Sequence, residues 1–316
     1  MQPAPAFLLL SPLANWSGRA QTVAPGACIR RLLPRESAAL ESSDALLQHH
    51  DVDREAREGF WLCHEFVNEN PAGSVRYKRW EEAAFKLMLH AVYSIQILSP
   101  LGAANLFLLY RRTDDGLVLD STQHRQALLG TVWADHCGVP PSFAEEIPAL
   151  LERLRDAFQK PTLRLQIPVW LLEQGMCAPD RHIRILLWAT GLDGITRSGG
   201  MAAFAERLGG LLGADTKVFP PGRGGRQPKY RVCDVAEDLY LLRNEMAHGL
   251  PFHEKFRKKR GFLADDGDPV SSEFAVYRYD QVLEECAAFL LCQALREVLL
   301  HNRVFDFQTM SWSEPA

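Results

Sequence analysis

Leu239-Tyr240-Leu241-Leu242-Arg243-Asn244-Glu245-Met246-Ala247-His248-Gly249 reads as the last three turns of a helix closed by glycine, inside a C-terminal half rich in such helices. At about 100° per residue, Val235, Leu239, Leu242 and Met246 fall in one narrow arc, the i, i+4, i+7, i+11 stripe of a core-facing helix. Asn244 and His248 are i, i+4 neighbours on roughly the opposite side, with Arg243 and Ala247 beside them. Tyr240, Leu241 and Ala247 make that outward side too apolar for a purely solvated face. It is expected to need a second packing partner and to carry ionisable groups at its edge.

Helical spacing continues on either side. Asp180 is a good N-cap ahead of Ile183, Leu186, Leu187 and Thr190, giving a helix to Ile195. Met201, Phe204, Leu208 and Leu211 make a single-sided stripe over 201–212. Further helices are expected over 163–175, 232–248 and 279–301, the last apolar over most of its circumference and therefore central. Five helices with short joins describe a bundle over 158–316.

Arginine, a polar residue, three more residues and histidine, at a helix end and followed by glycine, resembles the HEPN superfamily of nucleotide- and RNA-handling α-helical domains. The Apea-like branch looks closest. Ile183-Arg184-Ile185-Leu186-Leu187-Trp188-Ala189-Thr190-Gly191-Leu192-Asp193-Gly194-Ile195 resembles the helix that precedes the motif in that group, with Asp193 where an acidic residue is often found. The resemblance covers roughly the C-terminal half. It implies an all-α HEPN-like bundle there, and two protomers that bring their motifs together across a shared groove, a homodimer for which the Tyr240/Leu241 face is suited.

The bare spacing of arginine, four residues and histidine is weak: among this many arginines and ten histidines, about one chance match is expected. The chain supplies its own control in Arg296-Glu297-Val298-Leu299-Leu300-His301, where an acidic residue follows the arginine, no glycine follows the histidine and the surroundings are apolar. That second match reads as accidental. The plain alternative for the first is that Arg243 and His248 only cap a helix C-terminus, where positive groups gain about 0.3–1 kcal/mol.

Two basic segments bracket the motif. Phe219–Arg231 is Pro/Gly-rich and carries Arg223, Arg226, Lys229 and Arg231; Lys255, Arg257, Lys258, Lys259 and Arg260 follow the helix. From Lys217 to Arg260 there are eleven basic and five acidic residues, about +6 in a protein of net charge −4. Such a concentration puts positive potential near His248, as a phosphate-backbone ligand needs. Two loops kept solvated by charge are the bland alternative.

The N-terminal half, residues 1–157, reads as α+β and does not disclose its role. Trp80–Leu98 is a helix-length stretch with apolar residues on most of the wheel, stopped at Pro100; His90 within it reads as a packed core residue. Asn105–Arg112 and Leu117–Asp120 flank Thr113-Asp114-Asp115-Gly116, a strong hairpin signal. A helix is expected from about Glu146 to Gln159, after the capping-box spacing Ser142…Glu145. Asp135-His136-Cys137 lines up an acid, a base and a thiol, but adjacent residues do not face one another on regular structure. His49-His50-Asp51-Val52-Asp53 reads as a solvated loop rather than a metal cluster.

With 47% hydrophobic and 23% charged residues the 316-residue chain has the composition of a globular protein of two domains. Phe7-Leu8-Leu9-Leu10 is too short and wrongly flanked for a signal peptide, no run reaches the 18 or so apolar residues of a membrane span, and seven scattered cysteines form no C-x-x-C pair. A cytoplasmic protein without disulfides is expected.

Two functions follow from different classes. One is a metal-independent RNA endonuclease, cofactor-free, acting on an RNA such as tRNA or mRNA. In it His248 moves a proton near neutral pH, Arg243 stabilises charge on the phosphate oxygens, and Asn244 orients the imidazole or the phosphate. The resemblance implies the same roles. The other is a non-catalytic RNA- or nucleotide-binding, sensing or interaction module using the same residues. By analogy with Apea-like proteins, the setting is toxin-like or antiviral defence, with the N-terminal domain sensing a trigger, whether ligand or protein.

Overall fold

The computed structural model describes residues 6–13, 16, 18–43, 59–68, 75–99, 106–124, 144–160, 164–218, 231–249 and 272–313. The chain divides into two compact units, Met1–Asp156 and Ala157–Ala316.

The first unit is α+β. Its strands are β1 (Ala6–Pro12), β2 (Gln21–Ala24), β3 (Ala27–Arg31), β4 (Phe60–Val67), β5 (Leu106–Thr113) and β6 (Gly116–His124), and its helices include α1 (Pro34–Ser42) and α2 (Val75–Leu98). The six strands form one antiparallel sheet in the order β2-β3-β4-β1-β5-β6. Phe7-Leu8-Leu9-Leu10, read from sequence only as too short for a leader, is the middle of this sheet. It pairs with β4 on one side (Phe7↔Phe66) and β5 on the other (Phe7↔Arg111).

An apolar run without alternation is what a strand buried on both faces requires, and both faces of β1 are covered. Leu8 and Leu10 point with Trp61, Cys63, Leu106, Leu108 and Tyr110 toward Ala39 and Leu40 of α1. On the other face Phe7 stacks on Phe66, and Phe107 meets Phe85 of α2 edge-on. Full burial of each leucine contributes roughly 1.5–3 kcal/mol.

The hairpin expected around Asp114-Asp115-Gly116 forms, with Thr113 opposite Gly116 and two residues in the turn. A second hairpin joins β2 to β3 through Pro25-Gly26, where Gly26 has φ +75; proline followed by a left-handed glycine is the signature of a type II turn. Fully buried Glu36 ties α1 to β3: Arg30 grips its carboxylate at 2.6 and 2.9 Å and the Leu33 N–H donates to it at 2.8 Å. Burial alone would raise the Glu36 pKa, but Arg30 and the Leu33 amide outweigh it and hold the carboxyl below its ordinary range. His90, expected in the core, is half-buried, its pKa pushed down to about 4 by burial and then by the positive charges of Arg155 and Lys86.

Helix α3 (Ile147–Gln159) carries the boundary between the units. The second unit then contains α4 (Gln166–Cys177), α5 (Arg181–Thr196), α6 (Met201–Leu212), α7 (Val232–Ala247) and α8 (Ser272–Leu300). The Asp180 side chain accepts from the His182 and Ile183 amides, as an N-cap should. Helix α5 packs closely on α4: Trp188 is fully buried, donates to Leu172 O at 3.1 Å, and lies so near Gly175 that a Cβ there would collide with the indole nitrogen. Glu284 of α8 is buried and receives Arg181 at 2.7 Å and Arg184 at 2.5 Å, tying α8 to α5.

The expectation of an all-α second unit is corrected by a two-stranded ladder after α8, β7 (Val304–Asp306) paired with β8 (Ser311–Ser313). Asp306 closes its turn by accepting from the Gln308 amide at 2.8 Å and the Thr309 hydroxyl at 3.0 Å. Trp312 anchors it on α6 by donating to Arg207 O at 2.7 Å. Strands of three residues are too short for a period-2 pattern to register.

Candidate functional site

Val235, Leu239 and Leu242 turn into the core as their spacing predicts, while Met246 is only half-buried. The opposite side of α7 meets α5 and α6. Arg243 Nη2 donates to Asp193 Oδ2 of α5 at 2.7 Å, and Nη1 reaches Asn244 Oδ1 at 3.3 Å. Below the guanidinium lies the Tyr240 ring, 5.5 Å from Cζ to centroid, and Tyr240 in turn packs on Phe204 of α6 at 5.5 Å between centroids. The second packing partner that Tyr240 needs therefore comes from the chain itself.

Asp193 is held on both oxygens, with Arg243 on Oδ2 and the Ser198 hydroxyl donating to Oδ1. Carboxylate and guanidinium are each about one-fifth exposed. A half-buried fork fixed in this way keeps its remaining N–H groups in a defined direction, which anion recognition requires. The carboxylate also offsets part of the guanidinium charge.

His248 stands at the C-cap, just beyond the last helical turn, with its amide donating to Asn244 O at 3.0 Å. Its side chain is exposed and, among the described residues, makes no hydrogen bond or ion pair. Gly249 follows at φ +65, the left-handed value at which glycine ends a helix without strain. Arg243, Asn244 and His248 are thus gathered within the last turn and its cap, beside Asp193.

Of the basic residues expected at phosphate, Arg231 is exposed and uses its fork on Asp234 at 3.0 and 3.1 Å and on Asp215 at 3.4 Å, so an RNA phosphate there would compete with two carboxylates. Arg223, Arg226, Lys229, Lys255, Arg257, Lys258, Lys259 and Arg260 lie outside the described residues, as do His49–Asp53 and Asp135–Cys137. Among the described residues no three His, Cys, Asp or Glu side chains cluster as a metal site would need, and no helix is long and apolar enough to cross a membrane.

Two parts of the site escape sequence reading. Ser198 follows the Asp193 helix directly, so local spacing places it near Asp193, but nothing local says that it bonds the carboxylate. Tyr240 is visible only as an outward apolar residue; its place under Arg243 follows from their i, i+3 relation once α6 is packed alongside. The chain matches no family model, no curated protein and no solved structure.

Proposed function

We propose that the second unit is a metal-independent RNA endonuclease of HEPN type. The observation that carries this reading is the Asp193–Arg243 pair, which fixes a guanidinium one turn before an exposed histidine at a helix end. The ribose 2′-oxygen attacks the adjacent phosphorus, the bond to the 5′-oxygen breaks, and the products are a 2′,3′-cyclic phosphate and a 5′-hydroxyl. His248 moves the proton that leaves the 2′-hydroxyl or that the departing oxygen takes up. Arg243 stabilises the charge gathering on the non-bridging oxygens, Asn244 orients phosphate or imidazole, and Asp193 is a positioning residue for Arg243. The basic segments around Arg223–Arg231 and Lys255–Arg260 would hold the backbone, and half-buried Leu241 belongs to the face on which a second protomer would bring its own motif. Toxin-like or antiviral use, triggered through the first unit, fits an activity that must be restrained.

One observation favours a binding module instead: no described group orients the His248 imidazole, and a catalytic histidine ordinarily has such a partner.

The test is incubation of wild-type and His248→Ala protein with labelled single-stranded RNA and tRNA in EDTA. Cleavage leaving 2′,3′-cyclic phosphate, reduced about 10²–10⁴-fold in the variant, is expected. Equal cleavage by both proteins removes the role of His248, and salt-sensitive binding without cleavage by either moves the protein to the binding class.

A further inference from the structure

Two arginines of the second unit face one ring where α5 ends, a third lies within reach of the Arg197 charge, and none of them meets a carboxylate among the described residues. Arg197 is the C-cap of α5, exposed, at φ 52, and its guanidinium lies 5.0 Å from the centroid of the Phe307 ring. Arg207 of α6 faces the same ring at 5.2 Å and Phe305 at 4.5 Å. Arg164, in the turn before α4, completes the group: burial disfavours its charged form, and the neighbouring charge of Arg197 disfavours it further. Phe307 remains 46% exposed in the turn between β7 and β8.

Structure alone explains one of these arginines. Arg207 donates to the carbonyls of Thr196 and Arg197, satisfying the open end of α5. Arg164 and Arg197 have no such duty, and the Arg197 and Arg207 guanidinium groups share one ring without a counter-ion among the described residues, an arrangement that is unfavourable unless an anion joins them. The patch begins within one turn of the Asp193–Arg243 pair: the Arg197 amide donates to Asp193 O, and the next residue, Ser198, bonds the Asp193 carboxylate.

We propose that Arg164, Arg197 and Arg207, with the exposed Phe307 ring, form a binding surface for single-stranded RNA that leads the strand to the Arg243–His248 end of α7. Phosphates meet the guanidinium groups, and an unstacked base lies on Phe307, a combination that a stacked duplex does not offer. The proposal rests on the RNA reading given above and extends it to a surface that the basic segments beside the motif do not include.

The test uses full-length protein carrying His248→Ala, so that RNA stays intact, and follows the polarisation of a labelled single-stranded 12-mer across a salt series. Adding Arg164→Ala with Arg197→Ala should weaken binding at least about tenfold and lower the log–log salt slope by about 1.4, two phosphate contacts at about 0.7 each. Phe307→Ala should weaken it about tenfold with the slope unchanged. Arg197→Lys, which keeps the charge, should keep the slope, and thermal midpoints equal to the parent's show that the variants are folded. Parent-like affinity and slope in the double arginine variant overturn this surface while leaving the RNA reading intact, and duplex RNA bound as tightly as single strand overturns it too. No RNA binding by the His248→Ala parent at low salt overturns both the surface and the RNA reading.

Discussion

Helices α7 and α8 both end in arginine, four residues and histidine, and both are tied to α5 by ion pairs, but the ties fall in different places. In α8 the tie is Glu284, buried far from the helix end, while the terminal His301 lies 3.9 Å from Glu297 of its own helix, a carboxylate that Arg303 also approaches at 3.6 Å. In α7 the tie is the motif arginine itself, joined to a carboxylate fifty positions earlier. The same spacing thus yields a locally neutralised helix end in one case and, in the other, a guanidinium fixed by tertiary structure beside a histidine with no carboxylate of its own among the described residues. Spacing locates a candidate; what the charges are paired with separates the two.

The contrast can be broken most directly by activity. Arg243→Ala should lower RNA cleavage about 10²–10³-fold, and Arg296→Ala should leave it unchanged; equal effects in a product-end assay would erase the distinction. Stability sharpens it in the opposite sense. Glu284→Gln leaves Arg181 and Arg184 poorly compensated in a buried setting and should cost about 3 kcal/mol in denaturant unfolding, more than any single change at the α7 end.

A third imidazole, His90, shows what burial does to the same side chain. Its folded-state pKa of about 4 lies below the ordinary 6.5, so the unfolded chain binds the proton more readily. Its contribution is present above pH 6.5 and is lost as pH falls toward 4, about 2 kcal/mol by pH 5. His90→Gln should flatten that acid limb in unfolding curves followed at several pH values, and an unchanged limb would place the proton uptake elsewhere. The smallest effect is expected at Asp193→Asn, under about 1 kcal/mol of stability, because both partners are partly exposed; a loss as large as that at Glu284 would make the two ties alike.

Legibility in the sequence followed locality. The ends of α5, α6 and α7 could be read nearly to the residue from the Asp180 cap, the 201–212 stripe and Gly249, but α5 buries Ile185, Trp188, Ala189 and Leu192 rather than the expected Ile183, Leu186, Leu187 and Thr190. The β5–β6 hairpin was equally plain from Asp114-Asp115-Gly116. Strands β1 to β4 were not, since Phe7–Leu10 is buried on both faces and shows no alternation, and its pairing with Phe66 and Arg111 is written in no local pattern. At the site, Arg243, Asn244 and His248 stood out through spacing and resemblance. The meeting of Arg197 and Arg207 on the Phe307 ring depends on how α6 and the β7–β8 turn pack at the end of α5, and no motif announces it.

The position of β1 has a consequence for how the chain is made. The strand at the centre of the sheet is synthesised before both of its neighbours, and at about 5–20 residues per second it waits several seconds for Arg111 to follow. During that interval Phe7, Leu8, Leu9 and Leu10 present apolar side chains and an unpaired backbone together, the combination that nascent-chain chaperones shield and that intermolecular strands capture. The first unit's risk during biogenesis is therefore concentrated in the segment that becomes its most protected strand.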